Sequence, residues 1–161
     1  PLLITHWGLS GPCVLKLSAW GARELQQLNY HFTISVNWLG DFKEEEVRSK
    51  IQGTRAESAS KKISNTNLFQ LRNRLWHYLL NASDINDDMR WADLPAKAQN
   101  KLIQLLINQE LKVAGKTTFK EEFVTAGGIS LKEIDPNTMQ SKLQNGLFFA
   151  GEILDVDGVT G

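Results

Sequence analysis

Hydrophobic and polar positions change their spacing twice along the chain, and the changes mark three zones. In the first, about 1–42, the run Leu2–Thr5 predicts a short buried strand. Gly8, Ser10 and Gly11 break that run. Pro12 then suits the first turn of a helix, where its missing N–H costs nothing. Val14, Leu15, Leu17 and Ser18 continue this helix towards Gly21. From His31 to Trp38 the period is two. Phe32, Ile34, Val36 and Trp38 fall on one face, and Thr33, Ser35 and Asn37 on the other. This predicts a half-buried strand, ended by Gly40-Asp41.

The second zone, about 43–111, has helical spacing. Lys43–Gln52 is charged, with Val47 and Ile51 one turn apart. Gly53–Asn67 is small and polar and fits either a helix or a loop. Leu68, Leu71, Leu75 and Leu79 recur at three and four residues, widened by Phe69, Trp76 and Leu80, and predict the strongest helix of the chain. Asn81–Asp88 is a polar break. Asp93 is placed to cap a third helix with Pro95 in its first turn. That helix carries the stripe Ala98, Leu102, Leu105 and Leu106, flanked by Ile103 and Ile107.

The third zone, about 112–161, returns to strand-like patterns. Thr117–Thr125 carries Phe119, Phe123 and Val124, and Gly127-Gly128 breaks it sharply. Residues 129–134 alternate imperfectly, and Asp135-Pro136-Asn137 signals a turn. Leu147–Ala150 is a continuous apolar run, as in a strand covered on both sides. The order of strands, helices and strands predicts an α+β fold: a partial barrel-like β body interrupted by an inserted three-helix unit. The expected domains are 1–42 with 112–134 for the body, 43–111 for the helical insert, and 135–161 for a return into a further domain.

Composition narrows the function. Of 161 residues, 42% are hydrophobic, enough for a folded core. Eighteen basic residues balance eighteen acidic ones, which gives no electrostatic reason to expect nucleic acid or an anionic membrane as partner. Locally, residues 43–74 hold eight basic and four acidic residues, with Trp76, His77 and Tyr78 close by. A solvated helix face is the simpler reading of that run, and a helical module binding protein or RNA is the alternative. The single cysteine, Cys13, excludes an internal disulfide and a cysteine-based metal site, and fits a reducing, cytoplasmic setting. No metal site is expected. No apolar run reaches the length of a membrane span. Pro1 at one end and a glycine-rich stretch at the other read as interior sequence, so a longer parent is expected.

Three segments could carry chemistry. Thr5-His6-Trp7-Gly8-Leu9-Ser10-Gly11-Pro12 reads as strand, glycine-broken turn and helix start. Free N–H groups at a helix start attract anions, and His6 could donate or accept a proton. A capped helix with a structural histidine explains the same residues and is the commoner case. Val124-Thr125-Ala126-Gly127-Gly128-Ile129-Ser130 could bring backbone close to a flat ring, or simply turn. The apolar run before Gly151-Glu152 delivers a glycine and then a carboxylate, followed by Asp155, Asp157 and Gly158. Ligands gather at such strand ends in open α/β sheets, and Glu152 could accept hydrogen bonds from hydroxyls. An acidic surface loop is the rival reading. The oxygen spacing of a calcium loop is absent.

All three segments, in this order and at this spacing, resemble bacterial FAD-binding flavoproteins of the "aminoacetone oxidase family", or BaiN-like NAD(P)/FAD-dependent oxidoreductases. Thr138-Met139-Gln140-Ser141-Lys142 resembles a fourth, weaker signature. The helical middle matches by pattern more than by residue. The resemblance implies a Rossmann-type flavin domain interrupted by a barrel-like domain that carries a helical insert. This chain would lack the N-terminal Rossmann half, with its glycine fingerprint, and so would hold no cofactor alone. In the parent, FAD would be bound, with NAD(P)H as a candidate reductant and a small organic molecule as substrate. The implied cofactor-facing residues are Thr125, Ala126, Gly127, Gly128, Gly151, Glu152, Asp155, Asp157, Gly158 and Gly161. Thr5, Gly8, Ser10 and Gly11 would line the substrate cavity, with His6 as a guess for the proton-handling group. The main partner would be the remainder of the flavin domain.

Overall fold

A short hairpin and two helices at one end of the sequence give way, through a strand at 31–36, to the amphipathic helices that the spacing predicts in the middle. The computed structural model describes residues 1–117, 126–156 and 158. The strands are β1 (Leu3–Ile4), β2 (Leu9–Ser10), β3 (His31–Val36) and β4 (Gln109–Ala114). The helices are α1 (Pro12–Trp20), α2 (Ala22–Gln27), α3 (Glu44–Glu57), α4 (Asn73–Ala82) and α5 (Ala96–Ile107). Strands β1 and β2 pair antiparallel, Leu3 opposite Ser10 and Ile4 opposite Leu9, and β3 pairs with β4. The chain forms two compact units. One comprises Pro1–Phe32 with Val113–Gly161, and the other Thr33–Lys112.

The second unit holds most of the core. Val47 and Ile51 of α3, Trp76, Leu79 and Leu80 of α4, and Leu102, Ile103 and Leu106 of α5 pack with Ile63, Ile85, Trp91, Leu94 and Ala98. Val47 and Ile51, and Ala98, Leu102 and Leu106, are buried as their spacing predicts, whereas of the line Leu68, Leu71, Leu75 and Leu79 only Leu79 is fully buried, joined by the flanking Trp76 and Leu80. Helix α3 starts where the Lys43 N–H donates to Glu46 Oε2 at 2.7 Å. Glu44, Glu45 and Glu46 put negative charge at its positive end. Trp91 Nε1 is buried without a partner among the described residues, but other polar groups near the core are answered. Trp38 Nε1 donates to Gln109 Oε1 at 2.7 Å, and Gln109 Nε2 donates to the Tyr78 hydroxyl at 3.0 Å. Arg55 Nη1 donates to Gln99 Oε1 at 2.9 Å. Leaving such groups unpaired would cost about 1–3 kcal/mol each.

Several elements differ from the sequence expectation. Helix α4 begins at Asn73, not Leu68. The Asn67 side chain clasps the backbone of Leu71, accepting from its N–H at 3.1 Å and donating to its carbonyl, and Gln70 has a φ of 53°. This local bonding competes with the helix over residues 67–71. Asp93 caps nothing. The N–H groups of Trp91 and Ala92 donate to Lys61 and Ala59 carbonyls, which fixes Trp91–Asp93 as a separate single turn ahead of the Pro95 cap. Helix α2 follows Gly21 directly, where the sequence pattern gives no helix.

The first unit departs further. β1 is exposed rather than buried, with Leu3 57% and Ile4 54% accessible, because only the short β2 lies beside it. Residues 129–134 do not form a strand. Ile129 makes one bridge, and Leu131–Glu133 is a single helical turn. Leu147–Ala150 is not a covered strand either. Phe148 makes a single bridge to Gln140 and is 60% exposed. The Asp135-Pro136-Asn137 turn is present, with the Asn137 N–H donating to Asp135 Oδ1 at 2.9 Å, and it returns the chain so that Ile134 meets Ser141. Most of the strand expected at 117–125 lies outside the described residues. Among the described residues the strands make two small sheets rather than a closed wall. None of the described helices is long and apolar enough to cross a membrane.

Candidate functional site

Two of the three glycine-bearing segments meet. The Ile129 N–H donates to the Ile153 carbonyl at 2.9 Å, and the Asp155 N–H donates to the Ile129 carbonyl at 3.0 Å, so that Ile129 and Leu154 form a parallel bridge. Just before it, Gly128 lies against the same backbone. A β-carbon there would sit 2.5 Å from the Ile153 oxygen and 2.7 Å from the Leu154 oxygen. Only glycine fits that approach. Leu154 is buried beneath the bridge.

The neighbouring glycines are different. Gly127 and Gly151 have φ of 97° and 82°, and a β-carbon on either would meet nothing within 4 Å. Their open sides are bare backbone, which a planar or phosphate-bearing group can approach. Gly151–Ile153 forms a single turn closed by the Leu154 N–H donating to the Gly151 carbonyl at 3.1 Å, and it presents Glu152 at the surface. Gly127 and Gly151 thus offer bare backbone, and Glu152 a surface carboxylate, beside the bridge. Asp155 is already engaged, because its carboxylate pairs with Arg23 of α2. Arg23 was not anticipated, since its partner lies 132 positions away in the sequence.

The hairpin segment is more self-contained. Thr5 is used in its turn. Its N–H and Oγ1 both donate to the Gly8 carbonyl, at 2.8 and 3.0 Å, and the Gly8 N–H donates back to Oγ1 at 3.1 Å. Gly11, with φ of 98°, packs against the Pro1 oxygen and Leu3 nitrogen. The amides at the start of α1 are spoken for. Cys13 donates to Pro1, and Val14 and Leu15 donate to Gly11. An anion site at that helix start is therefore not what the geometry offers. The Cys13 thiol also donates to the Pro1 carbonyl, at 3.1 Å. His6 is exposed, its ring 4.0 Å from that of Trp7. Ser10 is exposed on β2.

Residues 1–124 match the family described as HI0933-like protein barrel and H2TH domain. The chain belongs to the HI0933-like family. That family lies in the FAD-dependent oxidoreductase superfamily, in line with the motif resemblance. The HI0933-like chain is 30% identical over 161 residues to a ribosomal RNA dihydrouridine synthase of Escherichia coli, covering 99% of this chain and 37% of that protein. It is 29% identical to the protein of the same name from Haemophilus influenzae, with the same coverage. It is 27% identical over 160 residues to a 3-dehydro-bile acid delta(4,6)-reductase of Clostridium scindens, covering 98% of this chain and 38% of that protein. The chain thus spans under two fifths of the length of these relatives.

Within this HI0933-like chain, Ala126, Gly127, Gly128, Gly151, Glu152, Asp155 and Gly158 are among the described residues, and the bridge gathers the two segments that carry them. Thr125, Asp157 and Gly161 lie outside the described residues. Groups of histidine, cysteine and carboxylates suited to a metal are absent among the described residues.

Proposed function

We propose that the parent of this chain is a BaiN-like, FAD-dependent oxidoreductase that reduces a carbon–carbon double bond conjugated to a carbonyl, with NAD(P)H as the source of electrons. The observation that supports it most is the Ile129–Leu154 bridge, with Gly128 pressed into it and the open faces of Gly127 and Gly151 beside it. When bound, FAD supplies hydride chemistry that side chains lack. The residues of this chain would position it: backbone at Gly127 and Gly151 lets it come close, and Glu152 accepts hydrogen bonds from its hydroxyls. Asp155 acts through Arg23, holding the loop in place. His6 is the candidate for delivering the proton that completes the reduction.

The relatives' names support the bond type. Dihydrouridine is uridine with two hydrogens added across a ring double bond, and a delta(4,6)-reductase also removes ring double bonds. Both reactions add a hydride and a proton to a conjugated ring. Of the two substrates, we favour a uridine of ribosomal RNA, because that name is carried by two relatives aligned over 161 residues. A cytoplasmic setting follows from that substrate. The test is the full-length protein. Its visible spectrum should carry a flavin band, and restoring its gene to a strain that lacks it should restore dihydrouridine in ribosomal RNA, read by mass spectrometry. A full-length protein with no flavin band after FAD is added would sink the flavin reading. A flavin band with no dihydrouridine, and turnover of a 3-oxo-Δ4,6 steroid instead, would overturn the choice of substrate alone.

A further inference from the structure

The second unit carries a surface that the flavin reading leaves unused. Trp38, Leu39, Phe42, Lys50, Phe69 and Gln70 are among the residues lining a groove of about 290 Å³. Phe42 and Phe69 meet edge to face with ring centres 6.0 Å apart. Lys50 Nζ lies 5.3 Å from the Phe69 ring centre and 5.7 Å from that of Phe42. Gln70 also borders a second hollow, of about 570 Å³, lined by Leu71, Arg72, Asn73 and Arg74. Gln70 is thus common to both linings.

The charge bordering these hollows is positive. Some basic side chains of the unit meet carboxylates, namely Arg48 with Glu44 at 2.7 Å, Lys62 with Asp88 at 2.7 Å, and Lys101 with Asp84 at 2.8 Å. Arg72 and Arg74 are exposed and form no ion pair with any described residue. Helix α4 starts between them with no acidic residue in its first turn. No carboxylate lines either hollow. An aromatic groove bordered by exposed cations matches one polymer closely. A single nucleic-acid strand offers a π-face and a phosphate at every residue, and it binds through stacking platforms flanked by positive charge. A double helix hides its base faces, and an acidic peptide has no use for the ring floor.

We infer that this groove binds a single-stranded stretch of RNA, with bases on Phe42, Phe69 and Trp38 and phosphates on Lys50, Arg72 and Arg74. Lys50 moves from the ring faces to a phosphate on its flexible stem as a base takes its place. The choice of RNA rests on the uridine reading above, while the binding itself is measured apart from catalysis.

The experiment uses the full-length protein and a labelled, uridine-rich single-stranded RNA, followed by fluorescence anisotropy over a range of salt concentrations. R72E/R74E should weaken binding about tenfold or more and lower the slope of log affinity against log salt by about 1.4, the value for two phosphates on a single strand. Phe42→Ala should weaken binding about tenfold while leaving the slope unchanged. Flavin absorbance and melting temperature confirm that each variant is folded. R72Q/R74Q replaces the charge-reversed pair if that pair misfolds. No binding by the wild-type protein, or variants that bind as the wild type does, would overturn the inference. So would a charge-reversed pair that breaks up a dimer in sedimentation without changing RNA affinity, since the surface would then join two copies. Lost RNA binding in the variants of a protein that makes no dihydrouridine would leave the groove standing and remove the uridine reaction. Dihydrouridine formed in the wild type, with RNA binding unchanged in the variants, would do the reverse.

Discussion

At Gly128 the volume of a side chain is already occupied by the carbonyls of Ile153 and Leu154. Any substitution must push the two segments apart and strain both hydrogen bonds of the Ile129–Leu154 bridge. Gly128→Ala should therefore destabilise the full-length protein by about 1–3 kcal/mol, the usual range for overpacking, and loosen its hold on FAD. Gly8→Ala is the control. A β-carbon at Gly8 meets nothing within 4 Å, so its effect should stay within about 0.5 kcal/mol. Urea denaturation of both variants checks the contrast, and equal midpoints would refute it. The dipeptide Gly127-Gly128 is visible as a break in the sequence. Which of the two glycines is sterically required is not, because the obstructing carbonyls come from residues about 25 positions later, Ile153 and Leu154. Asp135 offers a second residue-scale test. The Asn137 N–H, aided by Thr138, holds its carboxyl below the usual carboxylate range against a smaller desolvation effect. A folded value below the unfolded one means that the stabilisation is present above the unfolded pKa of about 3.9 and is lost as pH falls through the folded value. Asp135→Ala should thus be less stable than wild type at pH 7, and the gap in urea midpoints should narrow as pH drops below about 4. A gap that does not change with pH would show that the carboxylate charge contributes nothing.

At the level of elements, the legible parts are those whose residues pack against each other within one unit. The helical periods of α3, α4 and α5 are legible because a period of 3.6 gathers apolar residues on one side, although in α4 the fully buried residues are Trp76, Leu79 and Leu80 rather than the line through Leu68, Leu71 and Leu75. The failures have local causes. Leu68 and Leu71 continue the stripe of α4 in sequence, yet Asn67 captures the backbone of Leu71 and delays the helix to Asn73. Asp93 is a good cap by type, but Trp91 and Ala92 are tied to residues 59–61 and the turn ends too early. Leu147–Ala150 has the composition of a covered strand, but composition does not supply neighbours, and its contact is one bridge at Phe148. The helical unit can be tested directly. Trp76 is fully buried, and its Nε1 donates to the Ile63 carbonyl at 3.3 Å. Trp76→Ala should cost about 3–5 kcal/mol, against a change of about 0.5 kcal/mol or less for Arg74→Ala on the exposed face of the same helix. Thermal and urea unfolding of the two variants would settle the difference. A mild Trp76→Ala would mean that α4 does not anchor the core.

On the scale of the whole molecule, apolar residues are shared unevenly between the two units. Nearly all core side chains belong to Thr33–Lys112. In the other unit, Leu15, Leu17 and Trp20 of α1 are 42%, 46% and 67% exposed, and Phe148, Ile153 and Val156 near the glycine bridge are 60%, 53% and 58% exposed. Large apolar side chains left exposed in this number are expected to be covered by further chain. The chain also spans only 37% of the length of its Escherichia coli relative. These two facts lead to the same expectation: in the parent protein, other chain covers the first unit, including the flanks of the proposed flavin loop. The 161-residue chain by itself should then bind the dye ANS and self-associate, whereas the full-length protein should do neither. The helical unit carries its own core and needs no such cover. Limited proteolysis of the 161-residue chain should therefore cut first within residues 1–32 and 113–161 and leave a resistant fragment near 33–112, identified by mass. A monomeric 161-residue chain without dye binding, cut first inside α4 or α5, would show that the exposed faces of the first unit need no partner and that its glycine bridge is complete without the rest of a flavin domain.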